Sequence, residues 1–363
     1  MMAMTRDEAL ATLLASAGWD AALRSPLAGD ASTRRYERLT MGARSAILMD
    51  APRNAETGPC PPEADEAARL KLGWNATSRL AASRVEAFVA VGAYLERIGL
   101  SPPALYGLDA EAGFALIEDL GDGLFAQVIP EGAPEAMLYA RAGETLAAAQ
   151  AAMPPPVLDG PGGPWPLLSF DALALRVNAD LFVEWSPKAT DVQFTDADRA
   201  LFERIRDGLI AQAMGFPRAL TIRDYHAENL LWLPDRAGVR AVGLLDFQDA
   251  VLGFRGWDLS MLLHDARRDV GPAAAQATMR AYLAASGADE AGVRAELCVL
   301  GALNVMRILG LFCRLTKRDN KPRYLTFMPR MWGHLAGVLQ HPDLAELAAL
   351  MHRVAKPQLE AAA

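Results

Sequence analysis

Ile222-Arg223-Asp224-Tyr225-His226-Ala227-Glu228-Asn229 is the stretch on which the reading of this chain turns. It closes an apolar run, 219–223, that reads as a strand, and its polar residues predict a loop leaving that strand. Two more apolar runs, 230–233 and 239–246, flank Pro234-Asp235-Arg236-Ala237-Gly238 and predict a hairpin that delivers Asp246 in Leu244-Leu245-Asp246-Phe247-Gln248. Everything after Gly256 reads as helical, as do 134–152 and 197–214, with a Pro/Gly loop over 153–166. Upstream, Thr5 and Glu8 form a capping box before a first helix. Runs 33–40 and 45–49 bracket a hairpin-like turn at 41–44, and 51–62 is rich in Pro, Gly and Asn and predicts an exposed loop. Helical periodicity over 84–98 stops at Ser101-Pro102-Pro103, and 113–119 is a strongly apolar strand ending in a flexible joint. The expected fold class is α+β: a small β-rich N-lobe over 1–120, a hinge near 118–122, and a larger, mainly helical C-lobe over 121–363.

The composition narrows the function classes. The 363 residues are 52% hydrophobic and 22% charged, a globular mixture of a length that suits about two domains. A net charge of −8 argues against nucleic acid as a partner, since phosphate backbones call for clustered cations. The start, MMAMTRDEAL, lacks the basic and apolar regions of a secretory signal. The most apolar stretch, 297–313, is broken by Asn304 and Arg307 and reads as a buried helix, not a membrane span. Cys60, Cys298 and Cys313 are odd in number and form no CxxC, and the five histidines are dispersed, so neither a disulfide framework nor a zinc or His-based metal centre is expected. A reducing cytoplasm is the natural setting.

Asp224 followed five positions later by Asn229, with Asp246 at the end of a hairpin, is a set suited to phosphoryl transfer. That chemistry asks for positioning and neutralised charge: one carboxylate to accept the proton of an attacking hydroxyl, and two oxygen donors for Mg²⁺ against the phosphates of ATP. Asp224 is the expected base, and Asn229 and Asp246 the expected metal ligands. The competing reading makes Asp224 and Asn229 ordinary turn residues and Asp246 a strand-end polar group. A lone Asp-x-x-x-x-Asn is weak, whereas loop, hairpin and second Asp together are specific. His226 is expected to orient the loop by packing. Asp258, in Arg255-Gly256-Trp257-Asp258-Leu259, is a candidate helix N-cap.

These segments resemble the aminoglycoside phosphotransferase/choline kinase superfamily, whose fold is the bilobal protein-kinase-like one. The likeness runs through Gly29-Asp30-Ala31-Ser32-Thr33-Arg34-Arg35-Tyr36, Leu48-Met49-Asp50-Ala51-Pro52, Ile117-Glu118-Asp119-Leu120-Gly121-Asp122, the stretch 222–229, Leu245-Asp246-Phe247-Gln248-Asp249-Ala250, and residues 307–325. Gly-Asp-Ala-Ser…Arg-Arg-Tyr and Met-Asp-Ala-Pro further resemble the anomeric sugar kinases of bacterial cell-wall recycling. That resemblance implies transfer from ATP, with Mg²⁺, to the C1 hydroxyl of N-acetylmuramate and N-acetylglucosamine. An aminoglycoside, choline or another small alcohol as acceptor is the alternative within the class; a nucleotide-binding regulator without catalysis is the alternative outside it. The resemblance also implies that Asp258 braces the catalytic loop, and that Glu118, Asp119 and Leu120 form a hinge whose backbone reads adenine. Two departures stand out. The loop begins Ile222-Arg223 where kinases have His-Arg, and Met49 stands near the place of the phosphate-binding lysine. Arg34 and Arg35 are the cations nearest in sequence to replace it, against a solvated strand edge as the plain alternative. Glu86, on the helix after it, lacks that lysine as a partner.

For the acceptor, Glu184 and Trp185 resemble a segment beside the sugar site, where a carboxylate bonds a hydroxyl and an indole stacks on a ring; the alternative is a core aromatic. The basic run around Arg314, Arg318 and Lys321 is the concentrated cationic stretch of an acidic chain. It offers a cation for the carboxylate that distinguishes N-acetylmuramate, or else is a solvated helix end.

Overall fold

Residues 5–27, 33–53 and 57–362 are described by the computed structural model. The N-terminal part is built on one five-stranded sheet of β1 (Leu23–Pro26), β2 (Arg35–Met41), β3 (Arg44–Asp50), β4 (Leu105–Asp109) and β5 (Phe114–Glu118), in the order β1-β2-β3-β5-β4. All neighbours are antiparallel. Alternation along the central strands covers both faces. Ala46 and Leu48 of β3 with Phe114 and Leu116 of β5 pack under α1 (Arg6–Ser16) around Leu13, Leu14 and Trp19. Met49, Ala115 and Ile117 point the other way, onto the helix α4 (Val85–Arg97). Burial on both sides explains why 113–119 reads as an unbroken apolar run. The capping box of Thr5 and Glu8 is present.

Between β3 and α4 the chain makes a strap containing α2 (Glu66–Leu72) and α3 (Trp74–Thr77). Its anchor is ionic. Arg69 is buried and donates to the Asp171 carboxylate at 2.6 Å, and Arg79 reaches the same carboxylate at 3.1 Å. Asp171 also caps the helix α7 that follows it, by accepting from Ala174 N–H.

The remainder is mainly helical: α5 (Phe125–Val128), α6 (Glu135–Ala149), α7 (Ala172–Ala189), α8 (Asp196–Met214), α9 (Arg255–Leu263), α10 (Pro272–Ser286), α11 (Glu290–Lys317), α12 (Met328–Val338), α13 (Ala345–Val354) and α14 (Lys356–Ala362). The expected 153–166 loop is instead the hairpin β6 (Val157–Gly160) and β7 (Gly163–Pro166). Its prolines hide it from propensity. It sits on α4, where Gly160 approaches Ala90 so closely that a Cβ would lie 2.6 Å from the Ala90 Cα. The strands around the quoted stretch form two small ladders: β8 (Arg218–Thr221) with β11 (Val251–Phe254), and β9 (Leu230–Trp232) with β10 (Val242–Leu244). Among the described residues α11 alone is long and apolar enough to cross a membrane, and it lies buried as the spine of the helical core. The three cysteines are free and buried.

The backbones of α11 and α7 approach each other closely at Gly310. A Cβ on Gly310 would stand 2.2 Å from the carbonyl carbon of Leu181. Gly310→Ala must therefore push the helices apart, at about 1–3 kcal/mol as for other overpacked cores. Chemical denaturation should register that loss, and an unchanged midpoint would contradict this packing.

Candidate active site

The loop after β8 is held at several points. Arg223 has φ +80°, a left-handed conformation costly for a side chain with a Cβ. The Asp258 carboxylate accepts the N–H of Ile222 at 2.6 Å and of Arg223 at 2.8 Å. Asp258 is thus a brace from inside the first turn of α9. It is not the N-cap: β11 runs directly into the helix, Phe254 takes that position, and no side chain caps it. Burial pushes the Asp258 carboxyl up to about 7, against the two backbone bonds. The Arg223 guanidinium donates to the carbonyls of Ser78 and Arg79, fastening the strap to the loop. Further on, Tyr225 donates to Ala142 O, and Ala227 N–H donates to Asp265.

Asp246 comes to the same cleft from the β9–β10 hairpin, also with positive φ, +55°. Its next neighbour, Phe247, is fully buried and stacks on Phe88 of α4 with ring centroids 4.6 Å apart. The side chain is fixed by Arg34 at 2.6 Å and by the Gln248 amide at 3.0 Å. Asn229 spends its amide N–H groups on Asp224 O at 2.9 Å and His226 Nε2 at 3.3 Å. Among the described residues no hydrogen bond is made by the Asn229 Oδ1, and the Asp246 side chain is partly exposed. Amide and carboxylate oxygens are the hard donors that Mg²⁺ takes.

The two acids are driven apart in proton affinity. Burial raises Asp224, the Asp246 charge raises it further, and Arg307 and Arg223 offset part of the effect. Burial opposes ionisation of Asp246 too, but Arg34 and Gln248 hold its carboxyl below the ordinary value. The two carboxyls are thus shifted in opposite directions, Asp224 up and Asp246 down.

Met49 is buried on β3. Of the two expected substitutes for a lysine, Arg34 enters the cleft with its side chain 8% exposed. Arg35 sits exposed on β2 opposite Asp50 and is not brought there. The Gly29–Ser32 turn beside them lies outside the described residues. Glu86 does find a cation, Arg53, just beyond β3. At the joint, Glu118 pairs with Arg236 and accepts from Ala104 N–H, and Asp119 pairs with Arg38. The acidic side chains are therefore occupied, while Leu120 lends neither N–H nor C=O to any hydrogen bond among the described residues.

The acceptor candidates separate. Glu184 is exposed and pairs with Lys188, whose ammonium also lies 4.1 Å from the Trp185 ring centroid. These contacts run along the outside of α7 and do not join either residue to Asp224. Arg318 is exposed and paired with Asp319, and Lys321 lies beyond the end of α11. Arg314 differs: it is buried, with its guanidinium over the Trp74 ring at 4.2 Å. Sequence reasoning gave no role to Arg307, which read as a break in an apolar run, to Trp74 and Arg79, which had no motif of their own, or to Asp249, which stood only within the Leu245–Ala250 likeness. Asp249 accepts Ala81 N–H from the strap at 2.6 Å.

Fold and cleft together describe a protein-kinase-like phosphotransferase scaffold. Residues 24–297 match the phosphotransferase enzyme family, and the chain belongs to that family. It is 49% identical over 349 residues to an N-acetylmuramate/N-acetylglucosamine kinase of Caulobacter vibrioides, covering 96% of both chains. A protein of the same name from Pseudomonas putida is 30% identical over 357 residues, covering 95% of this chain and 93% of that one. Among solved structures, a choline/ethanolamine kinase family protein from Mesorhizobium loti superposes with a TM-score of 0.57 at 16% identity, over 96% of this chain and all of the other. The streptomycin–ATP–APH(2")-IIa ternary complex gives 0.53 at 13%, over 94% and 98%. At such identities the structures speak to the fold alone.

The brace is open to direct test. In Asp258→Asn one oxygen becomes an amide that faces a backbone N–H, so one buried donor loses its partner at a cost of about 1–3 kcal/mol. Denaturation should show that loss together with reduced turnover. Wild-type stability and turnover would mean the loop is held without Asp258.

Proposed function

We propose that this chain is a sugar kinase that uses ATP and Mg²⁺ to phosphorylate the anomeric C1 hydroxyl of N-acetylmuramate and N-acetylglucosamine. The observation that carries the reading is the meeting of a carboxyl of raised proton affinity, Asp224, with the Asp246–Asn229 oxygen pair in one cleft. Similarity over nearly the whole length of a kinase bearing that name supports the choice of acceptor. Two buried arginines of α11, Arg307 and Arg314, also suit an acceptor with an anionic group better than a polycationic aminoglycoside.

In this mechanism Asp224 accepts the proton of the C1 hydroxyl as its oxygen attacks the γ-phosphorus. The bond from that phosphorus to the β–γ bridging oxygen breaks, and ADP leaves. Mg²⁺, held by Asp246 and Asn229, would neutralise the phosphates. Arg34 keeps Asp246 ionised and in place, and takes over part of the missing lysine's work. The backbone around Leu120 offers a donor and an acceptor for the adenine edge.

Release of ADP with a panel of N-acetylmuramate, N-acetylglucosamine, kanamycin and choline tests the assignment. Both amino sugars should be turned over and the cationic acceptors should not; the reverse pattern would refute it. With a working acceptor, Asp224→Asn should lower turnover about 10²–10⁴-fold while ATP binding persists. Near wild-type turnover would remove Asp224 from the role of base. Arg34→Ala should raise the KM for ATP or depress turnover, whereas Arg35→Ala should do neither. Equal and negligible effects would return both to a solvated edge.

A further inference from the structure

Arg314 is a buried charge with no direct ion pair among the described residues. It projects from α11 with 8% of its surface exposed, and its Nε is buried with no hydrogen-bond partner. Among the described residues it makes no side-chain hydrogen bond and no ion pair. The nearest acids are committed elsewhere: Asp319 to Arg318, and Glu184 to Lys188. Burial lowers its affinity for the proton to about 10, Arg318 adds to the effect, and Asp319 and Glu184 offset part of it. A buried guanidinium in that condition is costly unless something anionic arrives.

What covers it is Trp74, and Trp74 is placed deliberately. It opens α3 in the strap, between the Arg69 anchor on Asp171 and the Ser78–Arg79 carbonyls that take the Arg223 guanidinium. The strap then reaches Asp249, three residues beyond Asp246, through Ala81 N–H. Trp74 is therefore tied on both sides to the walls of the catalytic cleft. Arg307, seven residues before Arg314 and two helical turns away, shares its face of α11. Its charge is felt by Asp224, and it feels Arg314 in turn. Arg314 and Trp74 are thus joined to the residues around Asp224 through the strap and along one face of α11.

We infer that Trp74 and Arg314 form the subsite for a carboxylate carried by the acceptor, with Trp74 acting as a positioning residue that holds the guanidinium flat and excludes water from its Nε side. The inference rests on the proposed sugar-kinase reading. N-Acetylmuramate is N-acetylglucosamine with a lactyl ether bearing a carboxylate, so this pair is what would distinguish the two. The cation–π contact fixes the fork, leaving guanidinium N–H groups to meet a carboxylate.

The test compares kcat and KM for the two sugars in each variant, which cancels general damage to the fold. Arg314→Gln should raise KM for N-acetylmuramate about 10–150-fold. Trp74→Ala should raise it about 2–30-fold. N-Acetylglucosamine should change little in either, and kcat should be largely kept. Trp74→Phe, which keeps a ring face, and Arg314→Lys, which keeps the charge, should each recover part of the preference. Equal losses for both sugars, or none, would overturn the subsite while leaving the kinase assignment standing. A wild-type protein that phosphorylates only N-acetylglucosamine would also overturn it. Turnover of neither sugar would overturn the proposed function itself, and this subsite with it.

Discussion

Two carboxylates in one cleft repel each other, and much of this fold is arranged to make that tolerable. Asp246 raises the proton affinity of Asp224. The molecule answers with cations from distant parts of the chain: Arg34 from the edge of β2, Arg223 from the loop itself, Arg307 from the middle of α11. Because Arg34 binds Asp246 directly while Arg307 acts on Asp224 from further off, the two acids are affected unequally. That asymmetry shifts the two carboxyls in opposite directions, as the proposed division into base and metal ligand requires. The strained backbone at Arg223 and Asp246 belongs to the same arrangement, being held by Asp258 and by the Phe247–Phe88 stack.

The strap between β3 and α4 supplies the second half of the design. A segment so polar would not fold by its own burial. It is organised by Arg69 and Arg79 converging on Asp171, and by Arg223 gripping its carbonyls. The first contact links the strap to α7, and the second links it to the loop after β8. Position in the cleft therefore depends on buried ion pairs, whose one-sided removal leaves a charge uncompensated.

The proposed catalytic core was legible because its signals are local. Asp224, Asn229 and Asp246 declare themselves by spacing and by the strands on either side, and the alternation of β3 and β5 follows from a sheet covered on both faces. What escaped reading is long-range. Nothing near Arg34 announces a partner 212 residues away. The β6–β7 hairpin is hidden by prolines, and β1 and β4 are edge strands with little apolar pattern. Asp258 looked like a cap because β11, which carries the chain straight into α9, was not foreseen. Arg307 and Arg314 read as interruptions or as a helix end, since a sequence does not say which way a long side chain turns. Trp74 gains its meaning from the guanidinium beneath it.

As proposed, this centre activates the anomeric hydroxyl of an amino sugar. Phosphorus NMR of the product formed from N-acetylglucosamine and ATP tests this without any mutation. The product should show a phosphorus resonance coupled to the C1 proton, lost when the glycosidic phosphate is cleaved by mild acid. A resonance coupled instead to the two C6 protons, stable to the same acid, would contradict it.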